Sequence, residues 1–471
     1  MLPHFASLVQ SLSAVASCLL FLPLTVNASI ETTSNTPSSR PNIIVILADD
    51  MGYSDLSCYG NDRYTTPHLD RLAAEGMKFT DFHSNGAVCS PTRAAFMTGR
   101  YQQRCGIDEV ITADPAAGKR DRLGLPDHEI TLPEALRESG YRTGMCGKWH
   151  LGYTAQFNPT KHGFNTFNGY VSGNVDFHTH IDQAGFEDWW HNTELHPEAG
   201  YSTHLITNHA IEFIEENAGG EKPFFLYVAH EAPHYPYQGP SDPPVRGPGA
   251  QEPLKEKAEI QRAYREMVQE MDKGVGQILT ALEAKKITQN TIVFFFSDNG
   301  GTREANNGLL RGFKGSLWEG GHRVPAIARW PGTIKAGATT SQTAIGMDLM
   351  PTFLELAGAK TNEERKLDGS SLASLLTRQT PLAERTLFWQ FNQSMAVRRG
   401  SWKLIKNAPF LSRIRQEKAA NEPTVALFNL EDSIGESVDL ATTMPDIVED
   451  LQTQLEAWQQ DVRASHTTSA E

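Results

Sequence analysis

Continuous apolar runs of strand length recur along the chain. Residues 42–47, 224–229 and 291–296 are such runs, rich in β-branched or aromatic side chains, and shorter strands are predicted at residues 77–82 and 141–146. A strand that is apolar at every position has to be buried on both faces. This pattern is typical of a parallel sheet covered by helices.

Helix-forming stretches separate these strands. One helix is predicted between Thr66-Pro67 and Gly76, one from Cys89 onward, and others at residues 131–139, 202–217 and 258–286. The Thr-Pro pair and the glycine supply start and stop signals for the first of them. The repeated strand-helix order predicts an α/β fold with a large, mostly parallel sheet and helices on both faces.

The pattern changes after about residue 377. Short strands are predicted at residues 387–391, 395–399, 402–405 and 425–430, with Arg399-Gly400 as a hairpin turn, and residues 445–463 predict a closing helix. We therefore expect a main domain over residues 41–380 and a small antiparallel α+β domain over residues 381–463, followed by a disordered tail at 464–471.

The first residues resemble an export signal. An apolar run over residues 8–24 precedes Val26-Asn27-Ala28, whose small side chains suit a signal peptidase. Cys18 lies in a lipoprotein-like box, but the apolar run continues beyond it, which favours a soluble exported form. We therefore expect a signal peptide at residues 1–28, a disordered leader at 29–40 and a periplasmic or secreted protein. No second apolar run approaches the roughly 20 residues of a membrane span.

Charge and cysteine content limit the possible ligands and disulfides of the protein. Lys and Arg number 42 against 56 Asp and Glu, a formal net charge of -14. Such a surface repels nucleic acid, so a polyanionic substrate requires a local basic pocket. Mature cysteines are Cys58, Cys89, Cys105 and Cys146; if Cys89 is modified, at most one disulfide can form among the others.

Polar residues follow two of the buried strands at their carboxyl ends. Asp49 and Asp50 follow the first, and Asp298 and Asn299 follow residues 291–296. Together they offer only hard oxygen ligands, which suit Ca²⁺ or Mg²⁺ rather than zinc. Two unrelated strand-end turns are the alternative interpretation.

Basic residues and histidines occur in neighbouring motifs. Arg93, Lys148 and Lys314 together predict a clamp for a tetrahedral anion, and both sulfate and phosphate esters fit that description. His150 follows Lys148 by two residues, and His234 lies on a loop after a buried strand, so both are candidates for acid-base chemistry.

The stretch Cys89-Ser90-Pro91-Thr92-Arg93, followed by Thr98-Gly99-Arg100, resembles the maturation signature of the type I sulfatases. These are the formylglycine-dependent branch of the alkaline phosphatase superfamily, and the similarity is to members of the arylsulfatase A and N-acetylgalactosamine-6-sulfatase type. By itself a lone cysteine is more often a buried structural thiol. The resemblance covers roughly residues 41–460, and Thr92 departs mildly from the commoner Ser or Ala.

This resemblance implies an alkaline-phosphatase-like fold and a specific chemistry. Cys89 is expected to be oxidised to formylglycine by a formylglycine-generating enzyme, and the aldehyde hydrate attacks sulfur. One divalent cation, Ca²⁺ first and Mg²⁺ as the alternative, is expected on the residues that match the family's ligands. These are Asp49, Asp50, Asp298, Asn299 and the modified Cys89.

The resemblance also assigns roles to the basic residues. Arg93 holds the nucleophile, with Lys148 and Lys314 around the anion. His234 protonates the leaving alcohol, and His150 deprotonates the second hydroxyl of the hydrate, so that sulfate leaves and the aldehyde returns. The implied enzyme is a sulfuric ester hydrolase acting on a sulfated carbohydrate or a small aryl sulfate.

Two other functions fit parts of the pattern. A phosphonate monoester or phosphodiester hydrolase could use the same apparatus, and a degenerate homologue could bind sulfated glycans without hydrolysis. Substrate choice is expected to depend on residues 174–196 and on Asn306-Asn307. Within the former, Trp189-Trp190 could stack on sugars or belong to the core, and His178-Thr179-His180 is interpreted as a solvated loop rather than a metal site.

Overall fold

The computed structural model describes residues 40–112, 122–359, 365–408 and 425–468. The expected signal peptide at 1–28 and residues 29–39 of the expected leader lie outside these ranges, as do residues 469–471 of the expected tail.

The described residues contain helices of very different lengths. The helices are α1 (Pro67–Ala74), α2 (Cys89–Thr98), α3 (Leu132–Glu138), α4 (Ser202–Asn217), α5 (Lys257–Ala284), α6 (Glu319–His322), α7 (Leu349–Leu356), α8 (Ala373–Arg378) and α9 (Pro445–Thr468). None of them is long and apolar enough to cross a membrane.

An 11-stranded sheet forms the centre of the described structure. Its strands are β1 (Asn42–Ala48), β2 (Met77–His83), β3 (Arg142–Lys148), β4 (Thr166–Tyr170), β5 (Trp190–His191), β6 (Glu194–Leu195), β7 (Phe224–Ala229), β8 (Thr291–Ser297), β9 (Arg323–Arg329), β10 (Ala338–Thr340) and β11 (Ala344–Ile345). The order is β10-β2-β9-β8-β1-β7-β3-β4-β5-β6, and β11 pairs with β2.

The middle of the sheet is parallel. Strand β1 pairs in parallel with β7 and β8, and β3 pairs in parallel with β7 and β4. The predicted large, mostly parallel sheet is therefore confirmed. Because parallel strands end at the same edge, the loops after β1, β3, β7 and β8 all leave at one side, where α/β sheets bind their ligands.

The side chains of β1 alternate between two hydrophobic clusters. Ile43, Val45 and Leu47 belong to one cluster, together with residues of α2, α3 and α7. Ile44 and Ile46 belong to the other, with residues of α1, α4 and α5. A strand buried on both faces and covered by helices on each is what its uninterrupted apolar run predicts.

A second, antiparallel sheet follows. Its strands are β12 (Thr386–Phe391), β13 (Ser394–Arg399), β14 (Trp402–Lys406) and β15 (Val425–Asn429), in sequential order. Gly400 makes the predicted turn between β13 and β14 with a φ of 58°. Helix α9 packs on this sheet through Leu451, Leu455 and Trp458, and it extends five residues past the predicted end at 463.

Candidate active site

Acidic residues meet at the carboxyl ends of β1 and β8. Asp49 and Asp50 directly follow β1, and Asp298 and Asn299 directly follow β8, its parallel neighbour. All four are buried. The backbone of Asp50 adopts a φ of 68°, and its N–H lies 3.3 Å from Oδ1 of Asp298. The structure therefore brings the two predicted pairs into one site.

This acidic group has the composition of a metal site. Asp49, Asp50, Cys89 and His234 each offer a ligand atom, and these atoms lie within 4.8 Å of one another. Nδ2 of Asn299 donates to Oδ1 of Asp50 at 2.8 Å, whereas Oδ1 of Asn299 is buried without a hydrogen-bond partner among the described residues. An unpartnered buried carbonyl oxygen beside carboxylates fits a hard divalent cation.

The electrostatics of the group agree with that fit. Burial and the charge of Asp49 raise the pKa of Asp298 to about 7. Burial opposes ionisation of Asp49 as well, yet Lys148 and Arg93 hold the pKa of that carboxyl well below its usual range. Carboxylates packed this closely repel one another, and a divalent cation relieves the repulsion.

Cys89 is the first residue of α2 and lies beside the acidic group. Its Sγ is 3.4 Å from Oδ1 of Asp49 and 3.6 Å from Nζ of Lys314. Burial and the charge of Asp49 raise the pKa of the thiol to about 12. An unmodified Cys89 is therefore protonated at neutral pH and is a poor nucleophile.

Three cations surround Cys89. The guanidinium of Arg93, one turn along α2, donates to Oδ2 of Asp298 through Nε at 3.1 Å and Nη2 at 2.8 Å. Nζ of Lys148, at the end of β3, is ion-paired with Asp49. Nζ of Lys314 lies 2.6 Å from Oδ1 of Asp50. The side chain of Lys314 is 20% exposed, whereas Arg93 and Lys148 are buried, so Lys314 is the cation that solvent reaches.

The two predicted acid-base histidines have fixed hydrogen bonds. Nε2 of His150 donates to the carbonyl of Ile111 at 2.9 Å, which leaves Nδ1 as a buried acceptor without a described partner. Burial and the charge of Lys148 hold the pKa of His150 well below its usual range. Nδ1 of His234 donates to the carbonyl of Tyr235 at 2.5 Å, and Nε2 lies 3.5 Å from Oδ2 of Asp50.

Residues that support the site were not predicted. Oγ of Ser297 accepts from Met51 N–H at 3.1 Å and donates to the carbonyl of Asn299 at 2.9 Å, which joins the two acidic loops. Oδ2 of Asp55 accepts from Gly52 N–H at 2.8 Å and from the hydroxyl of Tyr264 at 2.6 Å. The position of Ser297 directly before Asp298 was the available signal, whereas Tyr264 is 209 residues from Asp55.

Residues 174–196, which are expected to determine substrate specificity, are more buried than their sequence suggests. His180 is 2% exposed and stacks on Trp189 with ring centroids 4.3 Å apart, so its prediction as a solvated loop histidine is wrong. Trp189, also 2% exposed, belongs to the core; Nε1 of the partly buried Trp190 donates to Asp188 at 2.6 Å. Stacking on the indole ring of Trp189 stabilises His180 in this buried position.

Known proteins resemble the chain over most of its length. The family model described as Sulfatase matches residues 41–359, and the model described as N-sulphoglucosamine sulphohydrolase, C-terminal, matches residues 313–459. The N-acetylgalactosamine-6-sulfatase of Canis lupus familiaris is 37% identical over 386 residues, which cover 77% of this chain and 71% of the relative. The arylsulfatase G of Rattus norvegicus is 31% identical over 471 residues, with 88% and 85% covered.

Solved structures also resemble the chain over most of its length. The crystal structure of Ps i-CgsB in complex with k-i-k-neocarrahexaose matches with a TM-score of 0.77 and 31% identity, covering 89% of this chain and 93% of that one. The phosphonate monoester hydrolase of Agrobacterium radiobacter matches with a TM-score of 0.61 and 18% identity, covering 91% and 96%. The latter likeness extends to the fold alone.

Proposed function

The chain belongs to the sulfatase family, and from that membership we propose that it removes sulfate from a sulfated carbohydrate through a formylglycine formed at Cys89. The observation that carries the proposal is the position of Cys89. Cys89 is the first residue of a buried helix, and its side chain lies between a group of carboxylates and three cations. In this structure Sγ stands in for the oxygens of the hydrated aldehyde.

A divalent metal completes the proposed site. Asp49, Asp50, Asp298 and the unpartnered Oδ1 of Asn299 would hold it, and Ca²⁺ suits so many oxygen ligands better than Mg²⁺. When bound, the metal supplies Lewis-acid activation of the attacking oxygen and charge neutralisation. His234 lies within the same cluster, but its proposed role is proton transfer.

Arg93, Lys148 and Lys314 form the proposed clamp for the sulfate group. The two buried cations are already oriented by Asp298 and Asp49, so they act as preorganised charge. Lys314 is partly exposed and can contact the entering ester. Nε2 of His234 faces the same space, because Nδ1 is committed to the carbonyl of Tyr235. Because Nδ1 holds the proton of the neutral ring, Nε2 can deliver a proton to the leaving alcohol oxygen only from the imidazolium form, which the carboxylate of Asp50 stabilises.

His150 has the opposite proposed role. Its Nδ1 is a bare acceptor, because Nε2 carries the proton that the carbonyl of Ile111 accepts. Burial and the neighbouring charge of Lys148 both disfavour a positive charge on the ring and keep its pKa low. His150 therefore stays neutral and can accept the proton whose loss releases sulfate.

The proposed substrate class is a sulfated sugar. The relatives include enzymes named N-acetylgalactosamine-6-sulfatase, and the structure of Ps i-CgsB was solved with k-i-k-neocarrahexaose. We further propose export through residues 1–28, because the apolar run and small residues there match a cleavable signal. Conversion of Cys89 by a formylglycine-generating enzyme belongs to the same proposal.

The test is a peptide mass at residue 89 combined with sulfate release. Protein purified from its native export route is expected to show loss of sulfur at Cys89 and no alkylation there. It is expected to release sulfate from an aryl sulfate far faster than phosphate or phosphonate from matched aryl esters.

The Cys89→Ala protein is the matched control, and its turnover is expected to fall below about 1% of the unaltered protein. Retained activity in this variant, or an alkylatable Cys89 in the active protein, would contradict the nucleophile. Preferential phosphonate hydrolysis would instead assign the site to the alternative enzyme class.

A further inference from the structure

A second group of buried charges lies between the two sheets, outside the proposed catalytic site. Its members come from both sheets and from the segments next to them, and each is at most 9% exposed: Asp81, His83, Glu319, His322, Arg323, Arg398, Lys403 and Glu436. Charged side chains are almost never buried without partners, so the contacts among them indicate what the group does.

The group is not a metal site. His83, Glu319 and His322 offer ligand atoms within 4.8 Å of one another. However, Nζ of Lys403 already lies 2.8 Å from Oε1 of Glu319 and 3.1 Å from Nε2 of His322. The chain itself therefore supplies the cation at this position.

Two residues from the part of the chain that forms the small sheet, Lys403 and Glu436, hold the segment 311–319, which carries Lys314. The carbonyl of Glu436 accepts from Nη1 of Arg311 at 3.0 Å, and its Oε2 accepts from the N–H of Glu319 at 2.8 Å. Glu436 thus binds both ends of residues 311–319. Nζ of Lys403, on β14, pairs with Oε1 of Glu436 at 2.8 Å and with Glu319, which fixes the carboxylate of Glu436.

The middle of this segment is anchored to the catalytic loops. The N–H of Lys314 donates to the carbonyl of Gly301 at 3.0 Å, and the N–H of Gly315 donates to the carbonyl of Ala87 at 2.8 Å. The turn is tightly packed, because a Cβ added to Gly321 would lie 1.9 Å from the carbonyl oxygen of Ser316. The segment therefore has little room to adjust when residue 319 is displaced.

We propose that Lys403 and Glu436 are positioning residues that set the affinity of the site for the sulfate group by holding Lys314 in place. The inference rests on the proposed function for the identity of the anion. According to this proposal, the small sheet helps to position the residues of the active site. Neither residue is expected to touch the substrate.

The test is a double-mutant cycle on the binding of inorganic sulfate, measured by isothermal titration calorimetry. Lys314→Ala and Glu436→Gln are each expected to weaken sulfate binding about tenfold. If Glu436 acts through Lys314, Glu436→Gln is expected to change the affinity less than twofold in the Lys314→Ala background. Lys403→Met is expected to repeat the pattern, and Lys403→Arg to restore most of the affinity.

Arg385→Met is the matched control. Arg385 makes a comparable ion pair with buried Asp348, next to the small sheet, but contacts no residue of 311–319 among the pairs described. This variant is expected to unfold more easily while keeping its sulfate affinity. If Lys403→Met does not fold, two other variants give the same comparison. These are the isosteric Glu436→Gln and Arg311→Gln, which removes the contact between Glu436 and the start of residues 311–319.

Several outcomes would overturn the inference. One is that Lys314→Ala and Glu436→Gln reduce sulfate affinity by independent factors that multiply in the double variant. Others are unchanged sulfate affinity in Glu436→Gln, an equal loss of sulfate affinity in Arg385→Met, or loss of bound metal from Glu436→Gln. Sulfate that binds the unaltered protein no better than the Lys314→Ala protein would also overturn it. Failure of the proposed enzyme is a separate result, because it is read from aryl sulfate turnover by the unaltered protein.

Discussion

The amide of Asn299 uses its two ends differently. Nδ2 donates to Asp50, whereas Oδ1 is buried and lacks a partner in the described structure. A buried carbonyl oxygen left in this state costs free energy, and so do the neighbouring carboxylates. The local cost is concentrated where the proposed cation would remove it.

Removal of divalent metal is therefore expected to destabilise the protein as well as inactivate it. If the free metal concentration was 100 times its Kd, a chelator should lower the free energy of unfolding by about 2.7 kcal/mol. Thermal unfolding before and after dialysis, with Ca²⁺ or Mg²⁺ added back, measures the change. The Asn299→Leu protein is the control, and its response to chelator should be smaller; an unchanged melting temperature in the unaltered protein would contradict the metal site.

His162 provides a pH prediction away from the catalytic site. It is 1% exposed, stacks on Trp149 with ring centroids 5.7 Å apart, and burial lowers its pKa to about 4. In the unfolded chain a histidine titrates near 6.5, so the unfolded state binds more protons between these values. The contribution of His162 to stability is therefore full above about pH 6.5 and is lost as the pH falls towards 4.

The His162→Phe protein removes this titration and keeps the stacking on Trp149. Relative to the unaltered protein, its free energy of unfolding is expected to rise by about 2 kcal/mol between pH 7 and pH 5. Urea unfolding at both values measures the difference. Only the difference between the two proteins isolates His162, because Asp298 and Glu436, each with a pKa raised to about 7, change stability in the opposite direction. Parallel pH dependences for the two proteins would contradict the assignment.

At the scale of the element, α2 depends on a contact between its first turn and the loop that precedes it. Oγ1 of Thr92 accepts from Gly86 N–H at 2.9 Å and lies 3.2 Å from the carbonyl of the same glycine. This hydroxyl closes the loop that delivers Cys89 to the acidic group. The hydroxyl that Thr92 shares with Ser, and that Ala lacks, thus has a structural role in this chain.

Thr92→Val is expected to lower the free energy of unfolding by about 1–3 kcal/mol, because it leaves the buried Gly86 N–H unpaired. Thr92→Ser keeps the hydroxyl and should lose less. Chemical denaturation of the two variants and the unaltered protein measures both effects. Equal stability of the valine and serine variants would show that the contact contributes nothing.

The elements differ in how well the sequence predicts them. Strand β8 was predicted because five consecutive apolar residues, 292–296, favour burial on both faces. Strand β9 was not, because its sequence begins and ends with arginine and contains Pro325, which normally argues against a central strand. It nevertheless pairs with β2 and β8, since Arg323 and Arg329 reach acidic partners, Glu319 and Glu75. Such partners are fixed by tertiary structure and leave no local signal.

The residues of the candidate active site also differ in whether the sequence predicts them. The motif residues Asp49, Cys89 and Lys314 could be predicted, because each lies in a local pattern that resembles a known family. Their supports could not. Asp81 is ion-paired with Arg398, 317 residues away, and neither position is distinctive in sequence.

At the scale of the whole molecule, the small sheet and the main sheet share buried surface. Nε1 of Trp389, on β12, donates to the carbonyl of Ser84 at 2.9 Å, and Arg398 pairs with Asp81. Residues of α2 and of the small sheet belong to one hydrophobic cluster. We therefore expect the boundary predicted near residue 380 to separate two architectures rather than two independent folding units.

A fragment of residues 41–380 is accordingly expected not to fold by itself. Truncation would expose the shared hydrophobic cluster and remove Arg398 from Asp81 and Lys403 from Glu319, at several kcal/mol for each broken pair. Expression of the fragment, followed by limited proteolysis and calorimetry, tests this. A soluble fragment with a cooperative unfolding transition would contradict it.

The burial of Cys89 also imposes an order in time. Its side chain is 2% exposed, and every residue of α2 is buried. Once β2 has paired in the sheet and α2 has packed against it, this side chain is closed to a second enzyme, so the proposed conversion at residue 89 is expected to precede folding. The proposed maturation is thus expected to compete with folding, and a chain that folds first keeps its thiol as long as it stays folded. The yield of active protein then depends on the relative rates of these two steps and not on the stability of the finished fold.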